Sequence, residues 1–147
     1  MVPPTEPRTQ SAALPYRIDP KGRLRILLVK TRSGRWGIPK GHAEPGLSLS
    51  ENAAKEAWEE AGVTGIIAPE SSGKYRAIKQ STSGAYEIEV TVYLLQVTRQ
   101  SAEWPEKATR RTQWFDGAEA ASLVGEPMLK RLCSELVNTT ARVSKVG

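Results

Sequence analysis

The chain has one cysteine, Cys133, in 147 residues. A lone thiol excludes an internal disulfide and suits a reducing, cytoplasmic setting. Cys133 falls within the apolar pattern Met128, Leu129, Leu132, Leu136, which assigns it to packing rather than catalysis. Long apolar runs are also missing. The longest aliphatic run, Ile26 to Val29, falls far short of the ~20 residues that cross a bilayer, so no membrane partner is expected. The N-terminus, MVPPTEPRTQ, is polar and proline-rich, unlike an apolar leader. No internal repeat and no aromatic-basic repeat occurs, and the basic residues are scattered. That pattern argues against nucleic acid as the ligand.

Positive charge is in excess, with 21 Lys and Arg against 16 Asp and Glu, a net +5. Such an excess fits a small polyanionic ligand. The length predicts one domain. Residues 1–11 read as a mobile tail and 12–147 as the domain.

The densest chemistry lies in Gly41 to Val63, GHAEPGLSLSENAAKEAWEEAGV. Ser48 followed by Glu51 is a capping box, and Gly62 is a stop signal, so a helix is expected between them. Ala53, Ala54, Ala57, Trp58 and Ala61 read as its packing face, roughly opposite the acids. Glu56, Glu59 and Glu60 stand at i, i+3 and i+4 and share another face. No basic residue is expected to partner them there. Three like charges repel, and a divalent cation removes that penalty. Hard oxygen donors suit Mg²⁺ or Mn²⁺. The alternative is a solvated acidic face, which would leave the glycine-bearing loop Gly41 to Gly46 as coincidence.

Elsewhere, strands are expected at Ala12–Ile18, Leu24–Lys30, Trp36–Ile38, Thr64–Ala68 and Lys74–Gln80. A hairpin turn follows at 81–84, then an alternating strand through Tyr86, Ile88, Val90, Val92 and Leu94, and a last strand at Thr112–Phe115. A short helix at Gly117–Leu123 and a C-terminal helix from Pro127 to about Arg142 complete the chain.

The stretch from Gly41 resembles the Nudix box, GX5EX7REUXEEXGU with U aliphatic. Gly41, Glu44, Gly46, Glu56, Glu59, Glu60, Gly62 and Val63 fit the pattern, whereas Leu47 replaces its first glutamate and Lys55 its arginine. RWGIPKG (35–41) resembles the lead-in of many Nudix proteins. WPE (104–106) and RRTQWF (110–115) resemble the diphosphoinositol polyphosphate and dinucleoside polyphosphate branch. The resemblance spans roughly residues 15–137. It implies an α/β/α sandwich around a mixed sheet, and a hydrolase that cleaves a phosphoanhydride with Mg²⁺ or Mn²⁺. Glu56 and Glu60 are the leading metal ligands, and Glu59 is a third ligand or the group that handles the water. The backbone carbonyl of Gly41 is a further ligand by the resemblance.

Lys40 and Arg35 flank the loop and can clamp phosphates or stay solvated. Arg17 and Arg111 are candidates of the same kind. His42, the sole histidine, reads as an exposed loop residue or a substrate contact. Trp36 and Trp114 read as core, and Glu103 and Glu106 as loop residues able to supply a base. Leu47 reads as a hydrophobic staple at the helix start, and Lys55 lacks the two-pronged geometry of arginine. These departures motivate an alternative function, a catalytically weak domain that binds a nucleotide or polyphosphate. A homodimer is compatible with the sequence.

Overall fold

The computed structural model describes residues 6–146. Eight strands and three helices occur in the order β1 (Arg8–Ile18), β2 (Leu24–Lys30), β3 (Trp36–Gly37), β4 (Lys40–His42), α1 (Leu49–Ala61), β5 (Val63–Ile67), β6 (Gly73–Ser81), β7 (Gly84–Gln100), β8 (Thr112–Asp116), α2 (Gly117–Leu123) and α3 (Pro127–Val146). The strands form one mixed sheet. Its spine runs β3-β2-β1-β7-β5, with β4 on β1, β6 on β7 and β8 on β2. Among the described strands, β1 and β7 are the pair that runs parallel.

Alternation along the strands builds two cores, because successive side chains leave opposite faces of a sheet. Ala12, Leu14, Ile26, Leu28, Ile88, Val90 and Val92 join Leu129, Leu132 and Cys133 under the C-terminal helices. Ala13, Leu27, Val29, Tyr93 and Leu95 meet Ala53, Ala57 and Ala61 of α1. The result is the expected α/β/α sandwich. Alanine is the only residue that α1 contributes to its core from Ala53 onward, and small side chains let the helix lie close to the sheet.

The expected tail at residues 1–11 needs correction. Residues 1–5 lie outside the described residues, but Arg8–Ser11 already belong to β1. They pair with Ile88–Thr91 of β7, and Gln10 and Ser11 also pair with His42 and Gly41 of β4. The tetrapeptide is polar and gives no strand pattern. Pairing on both sides supplies the backbone hydrogen bonds that local sequence does not announce. β7 likewise runs on to Gln100, beyond the alternating stretch, because its second half pairs with β5. β4 was not expected at all.

Candidate active site

Both ends of α1 are fixed by specific bonds. The Glu51 N–H donates to Ser48 Oγ at 3.1 Å, and the Ser48 N–H donates to Glu51 Oε1 at 2.9 Å, which is the expected capping box. Gly62 closes the helix in the left-handed region at φ 70. The ring of Trp104 lies over it, 2.4 Å from where a Cβ would stand, so only glycine fits. Trp104 Nε1 donates to the Glu60 carbonyl at 3.2 Å, the Glu106 N–H to the Glu59 carbonyl at 2.9 Å, and Gln100 Nε2 to the Ala61 carbonyl at 3.3 Å. The WPE segment therefore satisfies two of the orphan carbonyls of the helix end, Gln100 a third, and Glu106 is brought beside the last turn.

Helix geometry sorts the three acids. At 100° per residue, Glu60 lies about 40° from Glu56 toward the alanine face, and Glu59 about 60° away from it. Glu60 is accordingly buried, with 4% of its surface exposed, whereas Ala54 and Trp58 are only half-buried. The packing face is Asn52, Ala53, Ala57, Glu60 and Ala61. It borders the acidic face, which corrects the expectation that the two lie opposite.

The carboxyls of Glu56 and Glu60 lie within hydrogen-bond reach of each other. Gly41 makes room for them, since a Cβ on it would stand 2.1 Å from Glu56 Oε1. The Lys40 N–H donates to Glu60 Oε2 at 3.1 Å, and Arg110 Nε lies 3.4 Å from Glu60 Oε1. Arg110 Nε is also 3.4 Å from Glu106 Oε1, so the guanidinium bridges the helix and the WPE segment.

Burial pushes the Glu60 carboxyl up to about 8, with Glu56 and Glu106 adding to the shift and Arg110 opposing it. Burial also raises Glu56, helped by the charges of Glu59 and Glu106. The Lys40 ammonium is lowered by burial and by its neighbours Lys79 and Arg110, against the pull of Glu60.

Glu59 belongs to a different constellation. Its Oε1 is 3.2 Å from Lys55 Nζ, and that ammonium also bonds Glu44. These two carboxylates raise the Lys55 ammonium. The acids thus do have basic partners, contrary to expectation: Lys55 for Glu59 and Arg110 for Glu60. Glu44 supplies Lys55 with the carboxylate that Leu47 does not. Leu47 is half-exposed, and the position a staple would pair with is the polar Asn52, so the staple is not formed.

The remaining candidates divide. Lys40 is at the site. Arg111 lines a cleft of about 410 Å³ with Lys30, Thr31, Arg32, Glu106, Thr109 and Arg110, and its guanidinium lies 5.8 Å from the Trp36 ring centre. Arg17 instead sits over the ring of Trp114, at 4.1 Å. Arg35 is exposed beside Gly125. Among the described residues, neither of these two side chains makes a hydrogen bond or ion pair. Trp36 and Trp114 pack only partly against the two cores. His42 is exposed but stacks with Tyr86 at 6.3 Å, while Arg8 covers that ring at 3.9 Å. Partial burial, Lys79 and Arg8 lower the His42 imidazole.

Arg110, Asn52 and Ser11 have no role in the sequence reading. Arg110 and Arg111 are neighbours at the start of a strand, and one residue of parity decides which meets Glu60. Asn52 Nδ2 donates to Ser11 Oγ at 2.8 Å and to the Gly41 carbonyl at 3.4 Å. Its signal was present: Asn52, Glu56 and Glu60 form one i, i+4 ridge.

The donor set fits a hard divalent cation. Glu60 is buried and Glu56 half-buried, two adjacent carboxylates that repel when both are ionised, and Gly41 lies against Glu56. Among the described residues, no group of three or more His, Cys, Asp or Glu side chains is gathered to hold an ion. Mg²⁺ commonly uses one or two carboxylates and completes its shell with water and substrate phosphates, which is what this pair offers.

A family model described as NUDIX domain matches residues 7–133. The chain belongs to the Nudix family. Nudix hydrolase 16, mitochondrial, of Arabidopsis thaliana is 33% identical over 112 residues, covering 73% of this chain and 62% of that relative. The chain therefore spans less than two thirds of that Nudix protein's length. The C. elegans Ap4A hydrolase superposes with a TM-score of 0.61 at 17% identity, covering 89% of this chain and 96% of that one. The E. coli dihydroneopterin triphosphate pyrophosphohydrolase does so with 0.66 at 16%, covering 92% and 99%. At such identities the likeness is one of Nudix fold.

Proposed function

We propose that this Nudix protein is a divalent-metal-dependent hydrolase of a phosphoanhydride bond, acting on dinucleoside polyphosphates or diphosphoinositol polyphosphates. The observation that carries the reading is the Glu56–Glu60 pair seated over Gly41, with the Lys40 backbone N–H and the Arg110 guanidinium at the two oxygens of Glu60. A buried carboxylate beside a half-buried one carries more negative charge than the single guanidinium of Arg110 offsets, and a divalent cation removes the excess.

Glu56, Glu60 and the Gly41 carbonyl would hold Mg²⁺ or Mn²⁺. Such an ion supplies neutralisation of phosphate oxygens and a water of lowered pKa. The chain's own groups bind and orient the substrate. Arg110, Arg111, Lys30 and Arg32 line the cleft next to Glu60. Arg8, His42 and Lys79 gather around Tyr86, and the charge of Lys79 reaches Lys40. Two separate cationic groups suit a substrate that carries negative charge on both sides of the cleaved bond, and the aromatic rings of Tyr86 and His42 add a stacking surface. The two cationic groups favour extended polyphosphates over nucleotide sugars.

The test is a matched screen of dinucleoside polyphosphates, diphosphoinositol polyphosphates, ADP-ribose, nucleotide sugars and nucleoside triphosphates with Mg²⁺ and with Mn²⁺. The reading predicts the highest kcat/KM for the first two. A clean preference for ADP-ribose or one nucleotide sugar overturns the substrate class. Tight binding without turnover supports a binding domain instead.

A further inference from the structure

Asn52 stands out among the residues of α1. It is fully buried on a face it shares with Ala53, Ala57, Ala61 and Glu60. Its Nδ2 donates to Ser11 Oγ and to the Gly41 carbonyl, while its Oδ1 receives no hydrogen bond among the described residues. A buried amide with one unsatisfied end is a poor choice for stability alone. An alanine would suit both the helix and its neighbours.

The bonds it does make join three elements at one point. Ser11 of β1 pairs with Gly41 of β4, and Asn52 reaches both from α1. Gly41 is also the residue over which the Glu56 carboxylate rests. A rotation of the Gly41 peptide would shift the floor under Glu56 and turn the carbonyl that Asn52 holds. Asn52 opposes that rotation, with Ser11 anchoring the amide by the shorter bond.

We infer that Asn52 is a positioning residue that holds the Gly41 carbonyl in register with Glu56 and Glu60, so that the three oxygens converge as a ready-made cation site. This rests on the metal reading above. It differs from a structural role because its effect falls on cation affinity rather than on folding. Outer-shell partners of metal ligands typically contribute 10–100-fold to affinity or activity.

The test uses Mn²⁺ alone, without substrate, titrated by relaxation or electron paramagnetic resonance on wild type, Asn52→Ala, Ser11→Ala and Glu56→Gln. Thermal melting is followed without metal on the same proteins. Asn52→Ala is expected to weaken Mn²⁺ at least tenfold while the metal-free melting temperature stays within a few degrees. Ser11→Ala should weaken Mn²⁺ by a smaller factor in the same direction. Asn52→Ser, which keeps a hydrogen-bonding group, should recover part of the loss and also serves if the alanine variant fails to fold. Unchanged Mn²⁺ affinity in folded Asn52→Ala or Asn52→Ser overturns the inference, provided Glu56→Gln weakens binding. If Glu56→Gln leaves Mn²⁺ binding intact, the metal reading itself fails, and the inference fails with it.

Discussion

Glu59 and Glu60 are adjacent in sequence and belong to the same motif, yet they occupy different chemical worlds. Glu60 is buried against the alanine face, shares hydrogen-bond reach with Glu56 and touches Arg110. Glu59 is partly solvated and paired with Lys55, which also holds Glu44. The difference follows from 100° of helical rotation. Three carboxylates within five residues are therefore held in different ways. Glu60 is buried beside the half-buried Glu56, and Glu59 is half-buried and shares Lys55 with Glu44.

The comparison breaks first at Glu60. Glu60→Gln keeps the shape but removes the charge, so turnover should fall by on the order of 10² or more. The rise in melting temperature that Mg²⁺ produces should vanish in parallel. Gly41→Ala should match it, because the new methyl would occupy the space of the Glu56 carboxylate. A near-normal rate in either variant would place the reacting bond elsewhere.

Arg110 sharpens the contrast with a prediction of opposite signs. Without metal its guanidinium competes for Glu60. Arg110→Ala should tighten Mn²⁺ binding several-fold, yet raise KM for polyphosphate substrates roughly tenfold by removing one charged contact. Calorimetry and steady-state kinetics on the same preparation check both signs.

A smaller effect concerns pH. The Glu60 carboxyl is raised from 4.5 to about 8 in the fold, so the folded state binds the proton more tightly than the unfolded chain. Metal-free stability should fall as pH rises through that window and level off above it. Saturating Mg²⁺ should restore most stability at the alkaline end, where the pair is ionised. Glu60→Gln should flatten the metal-free profile, as read by melting temperature against pH.

The smallest effects belong to the surface constellation. Glu59→Gln should change turnover by less than about fivefold, since exposed ion pairs contribute little. Leu47→Glu should do no more, because Glu44 already serves Lys55 and position 47 is half-exposed. A loss near that of Glu60→Gln would show that Glu59 moves to the cation when substrate binds.

Much of this site is legible in the sequence. The capping box, Gly62 and the i, i+4 spacing fix α1 because helix periodicity and termini are local properties. Gly41, Glu56 and Glu60 follow from the motif. The partners do not, because they depend on pairings far along the chain. β1 begins at Arg8 only because β7 and β4 flank it, and that pairing places Ser11 under Gly41. Arg110 rather than Arg111 reaches Glu60 through strand parity at the edge of β8. Trp104 reads as a weak motif residue and acts as the lid on the end of α1.

The central claim is that Glu56 and Glu60, without Glu59, form the cation site. Mn²⁺ titration of wild type, the Glu56→Gln, Glu60→Gln double variant and Glu59→Gln tests it most directly. The account predicts that binding is abolished in the double variant and changes less than about fivefold in Glu59→Gln. Equal losses in the two variants, or no loss in the double variant, would contradict it.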